Sequence, residues 1–215
     1  MAQKKGILIT LEGGEGAGKS TQIGMLADWL RGTGHDVVLT REPGGTPEAE
    51  RLRKLLVERD GGDWSPEAEL LMMFAARAQH VRDLIKPALD SGKIVICDRF
   101  TDSTRAYQGY AGGVKLADID ALRDMAIGGL EPDLTLILDL PVSVGLARAG
   151  KRMDEDGSSE DRMEGKGSAF HEALRKGYLD IAKNNPDRCK VIDAEGDIEA
   201  VQTAIRASVK DALAG

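Results

Sequence analysis

Residues 6–21 read Gly6-Ile7-Leu8-Ile9-Thr10-Leu11-Glu12-Gly13-Gly14-Glu15-Gly16-Ala17-Gly18-Lys19-Ser20-Thr21. A short apolar run leads into a glycine-rich loop, and Lys-Ser-Thr opens a stretch with helical spacing at Ile23, Leu26, Ala27 and Leu30. Gly13 to Ser20 match G-x-x-x-x-G-K-[ST] in full, and the strand before and helix after supply the context this motif needs. Its glycines let successive backbone N–H groups converge on phosphate oxygens at the positive end of a helix. Lys19 is placed to bridge the β- and γ-phosphates, and the Ser20 hydroxyl to coordinate Mg²⁺. Gly13 through Thr21 are thus expected to cradle ATP. The motif leaves the reaction open.

Working outward, three more apolar runs read as buried strands, Val37–Leu39, Ile94–Cys97 and Leu134–Leu140, with a weaker fifth at Lys190–Ile192. Helical stretches lie between them. Strands alternating with helices imply parallel pairing through crossovers, hence a three-layer α/β domain with a central parallel sheet of five strands. Ser65-Pro66 opens one long helix as cap and first-turn proline. The length of 215 residues suits one domain, 1–215, with no internal repeat.

The formal net charge of -7 argues against polymeric nucleic acid as a partner, since such binders carry a basic excess. Cys97 and Cys189, both in apolar surroundings, read as buried free thiols. No segment approaches the ~20 apolar residues of a membrane span, and Ile7–Leu11 is too short for a signal-peptide core, so a cytoplasmic location is expected.

One segment breaks the pattern. Residues 150–167, GKRMDEDGSSEDRMEGKG, are charged and nearly without apolar side chains. Composition alone suits a solvated linker. The position between two helices after the fourth strand favours a mobile lid over about 148–167.

A regulatory GTPase would carry N-K-x-D and D-x-x-G motifs, but Asp139 is followed by Leu-Pro-Val and Asp98 by Arg-Phe-Thr. A helicase or transport ATPase would end a strand in an acidic pair, where this chain has Asp98-Arg99. A carboxylate beside a guanidinium suits a small-molecule kinase, with Asp98 organising Mg²⁺ or its waters and Arg99 holding an acceptor phosphate.

Arg41-Glu42-Pro43-Gly44-Gly45-Thr46, Phe74-Ala75-Ala76-Arg77, Asp98-Arg99-Phe100, Ser103-Thr104-Arg105-Ala106-Tyr107-Gln108-Gly109, Pro132-Asp133-Leu134-Thr135, Asp161-Arg162-Met163-Glu164 and Val191-Ile192-Asp193-Ala194 stand in one order along the chain. Together they resemble the thymidylate kinase family over residues 6–210. The resemblance implies transfer of the γ-phosphoryl of MgATP to dTMP, and a homodimer. It also implies roles. Glu15 contacts the acceptor sugar's 3′-hydroxyl and the metal-water shell, and Arg53 and Arg99 grip the acceptor phosphate. Arg77 donates to thymine O4, Thr104 and Gln108 bond the N3–H edge, and Tyr107 crowds out a 2′-hydroxyl. The family's base-stacking aromatic falls at Met73 here. Phe74, one residue later, is preferred for its flat ring. Because the P-loop position after the carboxylate is Gly16, the chain resembles the bacterial group whose catalytic charge comes from the lid, here Arg148, Lys151 and Arg152. Two other readings remain: a deoxynucleoside kinase, which the pair Arg53 and Arg99 disfavours, and a non-catalytic nucleotide-binding regulator, which the lid charges disfavour.

Overall fold

The computed structural model describes residues 6–58, 61–156 and 166–214, the side chains of 152–156 excepted. Five strands, β1 (Ile7–Glu12), β2 (Val37–Arg41), β3 (Ile94–Asp98), β4 (Leu134–Asp139) and β5 (Cys189–Asp193), form one parallel sheet in the order β2-β3-β1-β4-β5. Nine α-helices are described: α1 (Lys19–Gly32), α2 (Pro47–Val57), α3 (Pro66–His80), α4 (Lys86–Asp90), α5 (Thr101–Thr104), α6 (Leu116–Ile127), α7 (Val142–Asp156), α8 (Ser168–Asn184) and α9 (Ile198–Ala214). Two π-helical stretches, Val81–Ile85 and Arg105–Ala111, continue α3 and α5. The expected three-layer fold with five parallel strands is the one observed.

Strand alternation explains why the sequence runs are apolar throughout. Ile9 and Leu11 of β1, with Ile94 and Ile96 of β3, face a layer carrying Leu26 and Leu30 of α1 and Ile205 and Val209 of α9. Leu8, Val95 and Cys97 point the other way, against Val81, Ile85 and Phe100. Both faces are covered, so neither can be polar. Glu12 shares the parity of Leu8 and Thr10 and is nevertheless fully buried.

Caps fix where α2 and α3 begin. Thr46 Oγ1 accepts from the Ala49 amide and Ser65 Oγ from the Ala68 amide, each just ahead of a proline. Cys97 and Cys189 are buried and unbridged. Among the described residues no helix is long and apolar enough to cross a membrane.

The register aligns the carboxyl ends of the strands. Leu11 and Arg41 both pair with Asp98, and Asp139 pairs with Asp193. The loops leaving these ends carry the glycine-rich cradle, Glu42, Arg99 and Ala194, which gathers the chemistry along one rim of the sheet.

Candidate active site

At the phosphate end, Gly18 enters α1 with a left-handed backbone of φ 84°, and α1 points its N-terminus at the loop. Lys19 Nζ folds back onto the loop, donating to the carbonyls of Gly13 (3.1 Å) and Gly14 (2.9 Å). Burial, then the nearby Arg99 charge, lowers the Lys19 pKa. An anion in the cradle would relieve both effects.

Arg99 crosses this loop. Its φ of 67° is the one left-handed backbone at a non-glycine among the described residues. Its Nη1 donates to Gly13 O (3.0 Å) and Tyr178 Oη (3.1 Å), and its Nη2 to Glu15 Oε1 (2.9 Å). Tyr107 Oη donates to the same Glu15 oxygen at 2.6 Å, and the Arg99 guanidinium lies 5.0 Å from the Tyr107 ring centroid. Burial alone would raise the Glu15 pKa, but Arg99, Lys19 and the Tyr107 hydroxyl together bring it down to about 2. Glu15 is thus a permanent carboxylate, an acceptor for hydroxyls and hydrated metal but no proton carrier at neutral pH. Asp98 Oδ1 is buried and has no partner among the described residues.

On α3, Arg77 is 1% exposed. Its Nε donates to Glu42 Oε2 at 2.7 Å, and its Nη2 to Phe100 O (3.2 Å) and Thr104 Oγ1 (2.9 Å). Its Nη1 is buried with no partner among the described residues, and the same is true of the acceptor Oε1 of Gln108. Glu42 in turn meets His80 Nδ1 (3.0 Å), and His80 Nε2 meets Thr40 Oγ1 (2.6 Å). The loop after β2 therefore holds the Arg77 fork in one orientation.

Phe74 is only 3% exposed and packs with Leu70 and Ile119, while the Arg77 guanidinium covers its ring at 4.8 Å. Met73, one residue earlier, is half-buried. Arg53 Nη1 donates to Pro43 O at 2.8 Å, beside the same loop. Arg148 Nη1 donates to Ala194 O at 3.3 Å, against the segment after β5. Lys151 is exposed near the end of α7, while the side chain of Arg152 and residues 157–165 lie outside the described residues.

Sequence reasoning gave no role to Glu12, Glu42, His80 or Tyr178. A lone carboxylate ending an apolar strand was the available signal for Glu12. The others become visible only through tertiary contacts.

A glycine-rich cradle at a helix N-terminus, at the carboxyl rim of a five-stranded parallel sheet, defines a P-loop nucleotide-binding protein. Arg99 on the loop carbonyls and Arg77 beside Phe100 add the buried guanidinium groups that suit a small-molecule phosphotransferase. The family model described as Thymidylate kinase matches residues 11–205. Thymidylate kinase of Caulobacter vibrioides is 55% identical over 201 residues, 94% of each chain, and that of Syntrophotalea carbinolica 50% identical over 206 residues, 95% of each. The crystal structure of thymidylate kinase from Ehrlichia chaffeensis superposes with a TM-score of 0.76 at 38% identity, covering 96% of this chain and 99% of that one. This chain belongs to the thymidylate kinase family.

Proposed function

We infer that the chain transfers the γ-phosphoryl group of ATP to the 5′-phosphate of dTMP, giving dTDP and ADP. The observation that carries this reading is the unpartnered, buried Nη1 of Arg77 among the described residues. A fixed donor suits a carbonyl such as thymine O4 and meets the amino group of cytosine as a second donor. Gln108 Oε1, buried and without a partner among the described residues, is the matching acceptor for N3–H. Thr104 already accepts from Arg77 and plays the smaller part. Met73, less buried than Phe74, is the better placed of the two to cover the base.

Arg53 and Arg99 hold the acceptor phosphate, and Glu15 the 3′-hydroxyl. Tyr107, tied to Glu15, stands where a 2′-hydroxyl would have to fit. An acceptor phosphate oxygen attacks the γ-phosphorus in line. The bond from that phosphorus to the β–γ bridging oxygen breaks, and ADP leaves with the electron pair. Positioning and charge neutralisation suffice, so no covalent enzyme intermediate is needed. The Ser20 hydroxyl and the unpaired Asp98 Oδ1 fit Mg²⁺, which takes few protein ligands beside phosphates and water and neutralises the triphosphate charge. The basic residues Arg148, Lys151 and Arg152, at the start of a lid over 148–167, supply further positive charge to the transferred group. A homodimer in the cytoplasm completes the reading.

The test is a panel of dTMP, dUMP, dCMP, dGMP and AMP assayed for ADP release with MgATP. Turnover confined to dTMP and, less well, dUMP supports the reading. Turnover of dCMP or AMP equal to that of dTMP overturns it.

A further inference from the structure

Glu12 ends β1 one residue before the cradle and touches neither face of the cleft. Its carboxylate is fully buried and occupied on both oxygens. Oε1 accepts from the Phe100 amide at 2.8 Å, and Oε2 accepts from the Ser103 hydroxyl, with Tyr178 Oη at 3.4 Å. Ser103 Oγ and Tyr178 Oη are 2.8 Å apart, and Tyr178 Oη accepts from Arg99 Nη1 at 3.1 Å. Arg99 donates to Tyr178, and the Ser103 and Tyr178 hydroxyls converge on Glu12 Oε2, either of them able to donate to the other. The carboxylate is the terminal acceptor of that chain. Through the Phe100 amide it also pins the residue directly after the left-handed Arg99.

We propose that Glu12 is the positioning residue for Arg99, holding its left-handed backbone through the Phe100 amide and aiming its guanidinium through Ser103 and Tyr178. The proposal rests on the reading of Arg99 as the grip on the acceptor phosphate.

The surroundings make this carboxylate unusual. Asp102 of α5, Arg99 and Lys19 beside the cradle, Cys97 of β3, Tyr178 of α8 and Cys189 of β5 are the titratable or charged groups around it. Asp102 is itself paired with Arg105 and Arg188. Burial, then the Asp102 charge, raises the Glu12 pKa to about 7, against the pull of Ser103, Arg99 and the Phe100 amide. A carboxyl group with a raised folded pKa contributes stability below its unfolded value near 4.5, and that contribution is lost as pH rises through about 7. The anion at pH 8 is therefore a burden on the fold, retained for what it orients. Once protonated, Glu12 donates to Ser103, Ser103 in turn donates to Tyr178, and the link between the two hydroxyls reverses.

Glu12→Gln imposes that reversed state at every pH, because the amide keeps one acceptor for Phe100 and presents a donor to Ser103. At pH 8 we expect KM for dTMP to rise about tenfold. KM for ATP should stay within about twofold, and the thermal midpoint should be unchanged or higher. A structural role alone would lower the midpoint and leave the two KM values in step. The wild-type KM for dTMP should fall between pH 6 and 8 with an inflection near 7 that Glu12→Gln lacks; the titration of the substrate phosphate is common to both. A folded Glu12→Gln enzyme with wild-type KM for dTMP, or with both KM values raised together, overturns the proposal. If the variant does not fold, Tyr178→Phe cuts the same chain and must raise KM for dTMP selectively. Arg99→Lys separates the two levels. If it leaves KM for dTMP unchanged, the reading of Arg99 fails. If it raises that KM while Glu12→Gln does not, only the role of Glu12 fails.

Discussion

Gly16 of the cradle and Gly145 of α7 meet backbone to backbone. A Cβ built on Gly16 would overlap the Gly145 carbonyl oxygen, and one on Gly145 would sit 2.5 Å from the Glu15 carbonyl oxygen. Gly16 also has a φ of 69°, where an L side chain is strained. Helix α7 is thus packed directly on the phosphate loop. A basic residue at the Gly16 position, as the other group of the family carries, does not fit this backbone.

Gly16→Arg should therefore not move catalytic charge into the loop. We expect kcat to fall at least a hundredfold and the fold to lose about 1–3 kcal/mol from left-handed strain and overpacking. Gly145→Ala should raise KM for ATP by displacing the loop from the other side. Steady-state kinetics with thermal unfolding checks both. A Gly16→Arg enzyme with wild-type kcat would show that α7 yields readily.

With no arginine in the loop, Arg148, Lys151 and Arg152 are the proposed source of charge for the transferred phosphoryl group. Removing a transition-state arginine lowers the rate on the order of a thousandfold. We predict that at least one of the three alanine variants loses kcat to that extent while KM for dTMP moves less than about tenfold. Arg148 has a second task, since it bonds Ala194 O after β5. Three variants with wild-type kcat would mean the charge comes from elsewhere.

Lys19 lies folded onto the Gly13 and Gly14 carbonyls, with burial and Arg99 pushing its pKa down. Lys19→Ala removes a buried cation from beside another, so the fold should persist while phosphoryl transfer is lost. Circular dichroism and ADP release measure the two outcomes. A folded Lys19→Ala protein with near-normal turnover would refute the role of the cradle.

Glu15 sets an acid limit on stability. Its folded pKa is lowered from 4.5 to about 2, so it contributes stability above pH 4.5 that is lost as pH falls toward 2. The shift corresponds to a contribution on the order of 3 kcal/mol. Glu15→Gln should be less stable than the wild type at pH 7, with the difference shrinking as pH falls from 4.5 to 2. Denaturant midpoints at several pH values would reveal it. A constant difference across that range would place the Glu15 pKa near its ordinary value.

What was legible in the sequence followed local rules. The apolar runs announced β1 to β5, Ser65-Pro66 announced the start of α3, and Gly13 to Ser20 announced the cradle, since each signal depends on neighbours a few residues away. Between Met73 and Phe74 as the cover for the base, ring chemistry favours Phe74, which in the structure packs with Leu70 and Ile119 under the Arg77 guanidinium. A one-residue step around α3 decides this, and helical spacing alone does not resolve it. Glu42 and His80 join the site from 35 and 38 residues away from their partners Arg77 and Glu42, a pairing no local pattern encodes.

Base choice is the sharpest consequence of the Glu42–Arg77 pair. Arg77→Ala would leave Glu42 as a buried anion with only His80, a loss of about 3–5 kcal/mol that confuses folding with recognition. Arg77→Lys keeps a cation for Glu42 but loses the fork whose buried Nη1 has no partner among the described residues. In the proposed pose, dTMP satisfies both Arg77 Nη1 and Gln108 Oε1. Replacing thymine by cytosine turns each bond into a mismatch, at roughly 1–3 kcal/mol apiece, so discrimination of a hundredfold or more is expected. Uracil keeps both edges and lacks one methyl, about 1 kcal/mol of apolar contact. The predicted order of kcat/KM is dTMP, then dUMP, then dCMP far behind. Arg77→Lys should lower kcat/KM for dTMP by about ten- to a hundredfold and narrow the gap to dCMP, because only the favoured substrate loses a bond. Gln108→Leu, which removes the other partner, should do the same without touching the Glu42 ion pair. If both variants keep the wild-type ratio of dTMP to dCMP, these two groups do not read the base.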